Sequence, residues 1–97
     1  MKKVSDKQRK KNNILSEYKK LHPKQCVICG RTANDFAHLL PKSIYPEWYT
    51  EPLNLVIMCR SCHQYHDDNI EFRTLQDKLF NQVCQFDELS ARRYYKR

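Results

Sequence analysis

The sequence predicts a small α+β fold in which one β-hairpin is flanked by helices. Two Cys-x-x-Cys pairs bracket a segment that contains two short apolar runs, residues 35–40 and 54–58. Each run has the length and composition of a β-strand. Apolar residues recur at helical spacing on either side of this segment. We expect the 97 residues to form one domain, and a domain of this size often needs a metal, disulfides or a partner to stabilise it.

The first predicted helix spans residues 6–21, and Pro23 ends it. Its apolar residues fall on one face: Ile14, Leu15, Tyr18 and Leu21. Together with the residues on either side of it, this helix is expected to form a basic helical arm over residues 1–25. The cysteine pairs and the hairpin occupy residues 26–68, and a C-terminal helix with a basic tail occupies residues 69–97.

The loop that joins the two strands, residues 41–53, cannot form one regular helix because it contains three prolines. We expect its aromatic side chains to cover the core rather than to stack on bases: Tyr45, Trp48 and Tyr49. A short helix is predicted near residues 60–68. A longer amphipathic helix is predicted over residues 70–85, with four apolar residues on one side: Phe72, Leu75, Leu79 and Val83. The tail, ARRYYKR, is interpreted as a frayed end or as a further phosphate contact.

The positive charge is concentrated at the N-terminus. Residues 1–25 contain nine basic and two acidic residues, a net charge of +7, whereas residues 26–97 contain nine of each. A basic block of this kind suits a phosphate backbone, since each neutralised phosphate releases counterions. The alternative is a solvated segment that aids solubility. The residues expected to contact nucleic acid are Lys7, Arg9, Lys10, Lys11, Lys42, Arg92 and Arg93.

The absence of a long apolar stretch or an apolar signal region predicts a cytoplasmic location. In that compartment cysteines are seldom paired as disulfides. Two pairs supply the four thiolates that tetrahedral zinc requires, Cys26 with Cys29 and Cys59 with Cys62. The sequence therefore predicts one structural zinc ion that holds both ends of the hairpin. The fifth cysteine, Cys84, is expected to be a small buried hydrophobic residue.

Three polar residues lie on the hairpin and on the helix after it: His38, Asn54 and His63. The segments CVICG, AHLLPKS and EPLNLVIMCRSCHQYH resemble the HNH endonucleases, in the subgroup with two zinc-binding cysteine pairs, which includes small phage and prophage nucleases. The resemblance covers residues 26–67. It implies a treble-clef-like ββα-metal core and metal-dependent hydrolysis of DNA phosphodiester bonds.

The resemblance also implies a role for each residue. His38 matches the general base that activates water, and its second nitrogen would need a backbone carbonyl to orient it. Asn54 matches the asparagine that holds the loop in shape. His63 matches a ligand of a second, catalytic divalent cation such as Mg²⁺, Mn²⁺ or Zn²⁺. His38 as a metal ligand, or either histidine as a structural residue, remains an alternative.

The ligand set of the second cation is less defined. Asp67 lies four residues after His63 on the same helix face, with His66 as its competitor. Many family members carry a ligand immediately before the base, where this chain has Ala37. Asp35 is the nearest acidic residue, but in a regular strand it shares a face with Ala37 and not with His38.

Two other functions remain open. A non-catalytic zinc module could use the same fold to bind DNA or RNA, and Ala37 favours this interpretation. A zinc domain that binds proteins is a further alternative. If the chain is a nuclease, one site cuts one strand, so double-strand cleavage needs a dimer or two successive events.

Overall fold

The computed structural model describes residues 6–97, with side chains described from residue 9 onward, and it confirms the small α+β fold. An antiparallel sheet of two strands is accompanied by four α-helices in these residues. The elements are α1 (Asp6–Leu21), β1 (Asp35–His38), β2 (Leu55–Met58), α2 (Arg60–Asp68), α3 (Ile70–Thr74) and α4 (Asp77–Tyr95). None of the helices described over residues 6–97 has the length and apolar character needed to cross a membrane.

The two strands pair in a register that runs from Asp35 opposite Met58 to His38 opposite Leu55. All four residues of β2 are buried, as expected for a strand rich in aliphatic residues. The predicted first strand extends to residue 40, but the observed strand ends at His38. Leu39 and Leu40 leave the sheet and are fully buried in the core.

The interstrand loop is folded against the core by two short 3-10 helices, Pro46–Trp48 and Pro52–Asn54. Tyr45 is buried, and the indole of Trp48 donates a 3.0 Å hydrogen bond to Asp87 on α4. Both aromatic residues therefore cover the core, as predicted. Tyr49 is partly buried and lies against His38.

The first cysteine turn lies beside the end of β2, because the backbone amide of Val27 donates to the carbonyl of Ile57 at 3.0 Å. Helix α2 begins two residues after the end of this strand, with Cys59 as its N-terminal cap. The two cysteine pairs, far apart in sequence, therefore meet at one end of the hairpin.

The prediction of one continuous helix over residues 70–85 is wrong. The chain forms α3, capped by the Asn69 side chain, which accepts a hydrogen bond from the Phe72 amide at 3.0 Å, and a new helix begins at Asp77. Leu75 lies at the break and is 75% exposed, whereas Leu79 and Val83 are buried as predicted.

Of the two interpretations of the C-terminal tail, the frayed end is wrong. Helix α4 continues to Tyr95, whose side chain is fully buried. Its axis changes at Asp87, which has non-helical backbone angles (φ −159°, ψ 84°). The carboxylate of Asp87 accepts hydrogen bonds from the amide and hydroxyl of Ser90 at 3.1 and 2.7 Å. Asp87 is therefore the N-terminal cap of a second helical segment within α4.

Helix α1 has the predicted bounds, but its apolar face is only lightly packed. Ile14 and Leu21 are exposed, and Leu15 and Tyr18 are half-buried. A hydrogen bond of 3.2 Å from the Tyr49 hydroxyl to Asn12 joins this helix to the interstrand loop. The helix is therefore an arm beside the core rather than part of it.

Candidate metal centre and polar groove

The four cysteines of the two pairs form one cluster, in which the sulfur atoms all lie within 4.8 Å of one another: Cys26, Cys29, Cys59 and Cys62. The sulfurs of Cys29 and Cys59 are 3.6 Å apart, and all four thiols are free. A tetrahedral zinc site with Zn–S bonds of about 2.3 Å has sulfur–sulfur edges of about 3.8 Å. The cluster can therefore bind one metal ion such as zinc.

Each cysteine pair lies in a turn whose backbone amide points at sulfur. The amide of Cys29 lies 3.5 Å from the sulfur of Cys26, and the amide of Cys62 lies 3.4 Å from that of Cys59. Gly30 follows the first pair with a φ of 80°, a conformation that side chains disfavour. This glycine lets the chain reverse directly after the second sulfur.

The thiols of the cluster differ in acidity. Burial acts to raise the pKa of Cys26, but hydrogen bonds from the amides of Cys29, Cys59 and Ile28 outweigh it and lower the pKa to about 6. Burial and the neighbouring sulfurs raise the pKa of Cys62. Four packed thiolates repel one another, and a divalent cation removes this repulsion.

His38, at the end of β1, is held on two sides by Tyr49. Its Nε2 atom lies 3.0 Å from the backbone carbonyl of Tyr49, and the two rings are stacked with centroids 5.0 Å apart and planes 5° apart. A carbonyl only accepts hydrogen bonds, so Nε2 carries the proton in the neutral ring and Nδ1 carries the lone pair. This is the orienting carbonyl that the sequence interpretation required.

The pKa of His38 is lowered below 6.5, chiefly by burial. The Tyr49 carbonyl and the charge of Asp67 raise the pKa, whereas His63 and Lys42 lower it. His38 is therefore neutral at pH 7, the state that a general base needs. The charges of Asp67 and His63 on α2 are among the lesser causes of this shift, and His38 itself does not line the groove described below.

Asn54 is fully buried and fixes the interstrand loop. Its Oδ1 atom accepts a hydrogen bond from the amide of Leu40 at 2.7 Å. Its Nδ2 atom donates to the carbonyls of Leu40 and Trp48 at 3.1 and 3.0 Å. Because Trp48 immediately precedes Tyr49, these bonds fix the chain that supplies the carbonyl for His38.

His63 lies between two carboxylates. Its Nδ1 atom is 3.5 Å from Asp35, and its Nε2 atom is 3.2 Å from Asp67. Asp35 faces α2 rather than His38, and it also forms a 3.1 Å salt bridge with Arg60. These residues line an open groove of about 730 Å³, to which Lys19 also contributes.

The three groove residues contact one another through the imidazole of His63 but do not converge on a single point. Among the described residues, the four cysteines form the one group of three or more ligand atoms that could hold a metal ion. The two imidazole nitrogens point in diverging directions, so one ion can bind His63 with Asp67 or with Asp35, but not with both in this arrangement. The groove therefore offers an ion two of these three ligands at a time.

His66, the predicted competitor of Asp67, is fully buried and does not line the groove. Its ring nitrogens contact the Tyr95 hydroxyl at 2.6 Å and Asp67 at 3.1 Å. The i,i+4 pairing of His63 with Asp67 is therefore the one that lines the groove. His22, outside the groove, bonds to the Tyr18 carbonyl at the end of α1.

The basic residues proposed for nucleic acid are distributed over separate elements. Arg9 and Lys10 are exposed on α1, Lys42 lies 4.4 Å from the centroid of the Tyr49 ring, and Arg93 is exposed on α4. Arg92 is exposed as well, but it pairs with Glu88 at 2.8 Å, which partly neutralises it. The side chain of Lys7 lies outside the described residues.

Sequence reasoning missed two residues that shape the site. Arg60 forms a salt bridge with Asp35. Apart from its place next to Cys59, nothing in the sequence indicates this contact. Arg73 is buried and donates to the carbonyls of His66 and Tyr94 at 2.6 and 2.9 Å. It thereby joins the end of α2 to the end of α4, an interaction that no local pattern could reveal.

Comparison of the chain with models of known protein families, with curated proteins and with solved structures gives no match.

Proposed function

We propose that this chain is a metal-dependent endonuclease of the HNH type, in which a treble-clef-like ββα-metal core held by one zinc ion carries the catalytic residues. The observation that carries the proposal is the arrangement of His38. Its ring is oriented by a backbone carbonyl, burial lowers its pKa, and its Nδ1 atom carries the lone pair that a base uses. A histidine with a purely structural role does not need this combination.

In the proposed reaction, Nδ1 of His38 takes a proton from water. The water oxygen forms a bond to the phosphorus atom as the bond between phosphorus and the leaving oxygen breaks, and the leaving oxygen takes up a proton from solvent. The ring of the base cannot rotate without breaking its stacking and its hydrogen bond with Tyr49, so its orientation is fixed before substrate binds. Asn54 maintains the loop that supplies these interactions.

The cation site of the proposed reaction lies in the groove beside His63. His63 and Asp67 would hold one divalent cation, with Asp35 as the alternative partner of His63. When bound, a divalent ion supplies charge neutralisation at the phosphate and the leaving oxygen. Zinc in the cysteine cluster has no open coordination position, so its proposed role is structural.

The proposed substrate is DNA, bound through its backbone. The basic residues on α1, on the interstrand loop and on α4 would neutralise phosphates, which positions a duplex without reading its sequence. No helix of residues 6–97 carries an obvious set of base-reading side chains, so we propose low sequence specificity or specificity supplied by a partner. A bacterial or phage-encoded protein in the cytoplasm fits this function.

The test of the proposal is nicking of supercoiled plasmid by the zinc-loaded protein with added Mg²⁺ or Mn²⁺. Three proteins are compared: the intact chain, His38→Ala, and His22→Ala as a histidine variant outside the site. We expect nicking by the intact chain and by His22→Ala, and a loss of about 100-fold or more in His38→Ala with plasmid binding retained. No nicking by the intact chain with either ion would overturn the proposal.

A non-catalytic nucleic-acid module is the second candidate. The observation that favours it is that the ligand atoms of Asp35, His63 and Asp67 do not converge within the described structure. Ala37, at the position where many of the nucleases that this segment resembles carry a ligand, points the same way. This candidate predicts plasmid binding that weakens with salt, with no nicking under any divalent ion.

A further inference from the structure

A chain of hydrogen bonds runs from the C-terminal end of α4 to the polar groove. The hydroxyl of Tyr95 lies 2.6 Å from Nε2 of His66, and Nδ1 of His66 lies 3.1 Å from Oδ1 of Asp67. The other oxygen of Asp67, Oδ2, lies 3.2 Å from Nε2 of His63. Tyr95 and His66 are both fully buried, whereas Asp67 is 43% exposed at the groove.

The direction of each hydrogen bond follows from the groups involved. The Asp67 carboxylate only accepts, so Nδ1 of His66 donates to it and Nε2 of the neutral ring must accept. The Tyr95 hydroxyl is the donor to Nε2, and burial raises the pKa of Tyr95, which keeps that proton in place. Both ring nitrogens of the fully buried His66 therefore have hydrogen-bond partners, and the partner of Nδ1 is Asp67.

We infer that Tyr95 and His66 are positioning residues, which hold the Asp67 carboxylate so that Oδ2 faces His63 as the second ligand of the groove cation. The inference rests on the proposed function for the identity of that cation. Without the bond to His66, an exposed aspartate on a helix would sample several rotamers. With it, one oxygen is fixed from inside the core and the other is presented to the groove.

The packing around His66 supports this role. The backbone carbonyl of His66 accepts a 2.6 Å hydrogen bond from Arg73, which also binds the carbonyl of Tyr94 at 2.9 Å. The carbonyl of Tyr95 accepts from Thr74 at 2.8 Å. The end of α4 is therefore attached to α2 and α3 by hydrogen bonds separate from the Tyr95 hydroxyl. Removal of that hydroxyl can be tested without detaching the helix.

The experiment compares the zinc-loaded intact chain with Tyr95→Phe and with Thr74→Val, a matched control that removes a different hydrogen bond to Tyr95 and keeps its hydroxyl. Histidine side-chain ¹⁵N NMR reports the tautomers, and titration with Mn²⁺ reports cation affinity. In the intact chain we expect His66 protonated at Nδ1. In Tyr95→Phe we expect changed ¹⁵N shifts at both His66 and His63, and Mn²⁺ affinity lowered about 10-fold.

We expect Thr74→Val to retain the shifts and Mn²⁺ affinity of the intact chain. His66 protonated at Nε2 in the intact chain would overturn the inference, and this measurement does not depend on any variant folding. An Mn²⁺ affinity of Tyr95→Phe equal to that of the intact chain would also overturn it. If the shifts and affinity change as expected but no protein nicks plasmid, the positioning role stands and the proposed nuclease function fails.

Discussion

Nε2 of His38 donates a hydrogen bond to the backbone carbonyl of Tyr49, on whose ring the imidazole is also stacked. One residue of the interstrand loop therefore fixes both the direction of the ring edge and the plane of the ring. The loop is in turn fixed by Asn54, which donates to the carbonyl of the residue before Tyr49. The orientation of the candidate base therefore depends on the fold of the loop.

The pH dependence of nicking should follow His38. Because burial lowers its pKa below 6.5, the base is neutral over most of the neutral range, and kcat/KM should fall only as pH drops below 6.5. Tyr49→Ala exposes the ring and should move the acid limb towards 6.5, whereas Tyr49→Phe keeps the ring stacking and the carbonyl and should not. Rate profiles from about pH 5 to about pH 8 measure this. An acid limb above about 7 in the intact chain would contradict the assignment.

Removal of the structural metal should unfold the chain. The purified protein should contain one zinc ion, and a strong chelator should abolish the cooperative thermal transition seen by circular dichroism, since folding of so small a core is coupled to metal binding. Cys26→Ser should lose zinc and the transition. Cys84→Ser, outside the cluster, should retain both, and a chelated protein that melts as before would exclude a structural metal.

Asn54→Ala should destabilise the fold by about 2–4 kcal/mol, because it leaves the buried amide and carbonyl of Leu40 without their partner. Urea unfolding of the zinc-loaded protein measures the free energy. Asn81→Ala removes an exposed asparagine from α4 and should change stability by less than about 0.5 kcal/mol. Equal effects of the two substitutions would show that Asn54 does not hold the loop.

The kink in α4 should depend on Asp87. Asp87→Ala should cost about 1–2 kcal/mol, the range for loss of a helix cap, whereas Asp87→Asn should cost little at pH 7 because asparagine also caps helices. Urea unfolding at neutral pH compares the two variants with the intact chain. Equal losses of stability in Asp87→Ala and Asp87→Asn would contradict the capping role.

Acid should weaken the same cap. Hydrogen bonds from Ser90 lower the pKa of Asp87, so its contribution is complete above the unfolded pKa of about 3.9 and is lost as pH falls through the lower folded value. The intact chain should therefore lose stability relative to Asp87→Asn as pH decreases below about 4. Parallel stability curves for the two proteins would show that the carboxylate is not ionised in the cap.

The basic arm should contribute electrostatically to nucleic-acid binding. Replacing Arg9 and Lys10 by alanine should weaken binding on all DNA sequences and reduce the slope of log affinity against log salt by about one for each phosphate that is no longer neutralised. Lys78→Ala, an exposed lysine on α4 outside the proposed interface, is the control. Fluorescence anisotropy at several salt concentrations measures the slopes, and equal slopes for all proteins would exclude the arm from phosphate binding.

Local patterns were sufficient to predict the secondary structure up to α2. Helical periodicity predicted the bounds of α1. Each of the two apolar runs predicted one end of its strand correctly and the other end to within two residues. The break after α3 was missed because the next helix begins after Gln76 without a side-chain cap, so no capping residue marks it in the sequence. The kink at Asp87 was missed because it depends on a carboxylate that bonds both to Ser90 and to a distant residue. The Asp87 bond to Trp48, 39 residues away, has no local signature.

The sequence by itself determined the hairpin between two cysteine pairs and the identity of the residues brought to the candidate sites. The two Cys-x-x-Cys pairs can supply the four ligands of one tetrahedral site, and the paired strands between them bring the two turns together. Tertiary structure alone decided which partner each polar group has. His38 is oriented by Tyr49 rather than by a neighbour in the sheet. Asp35 contacts His63. The Tyr95 hydroxyl bonds to His66. These partners depend on how separate elements pack against one another, and this packing cannot be inferred from the spacing of residues along the chain.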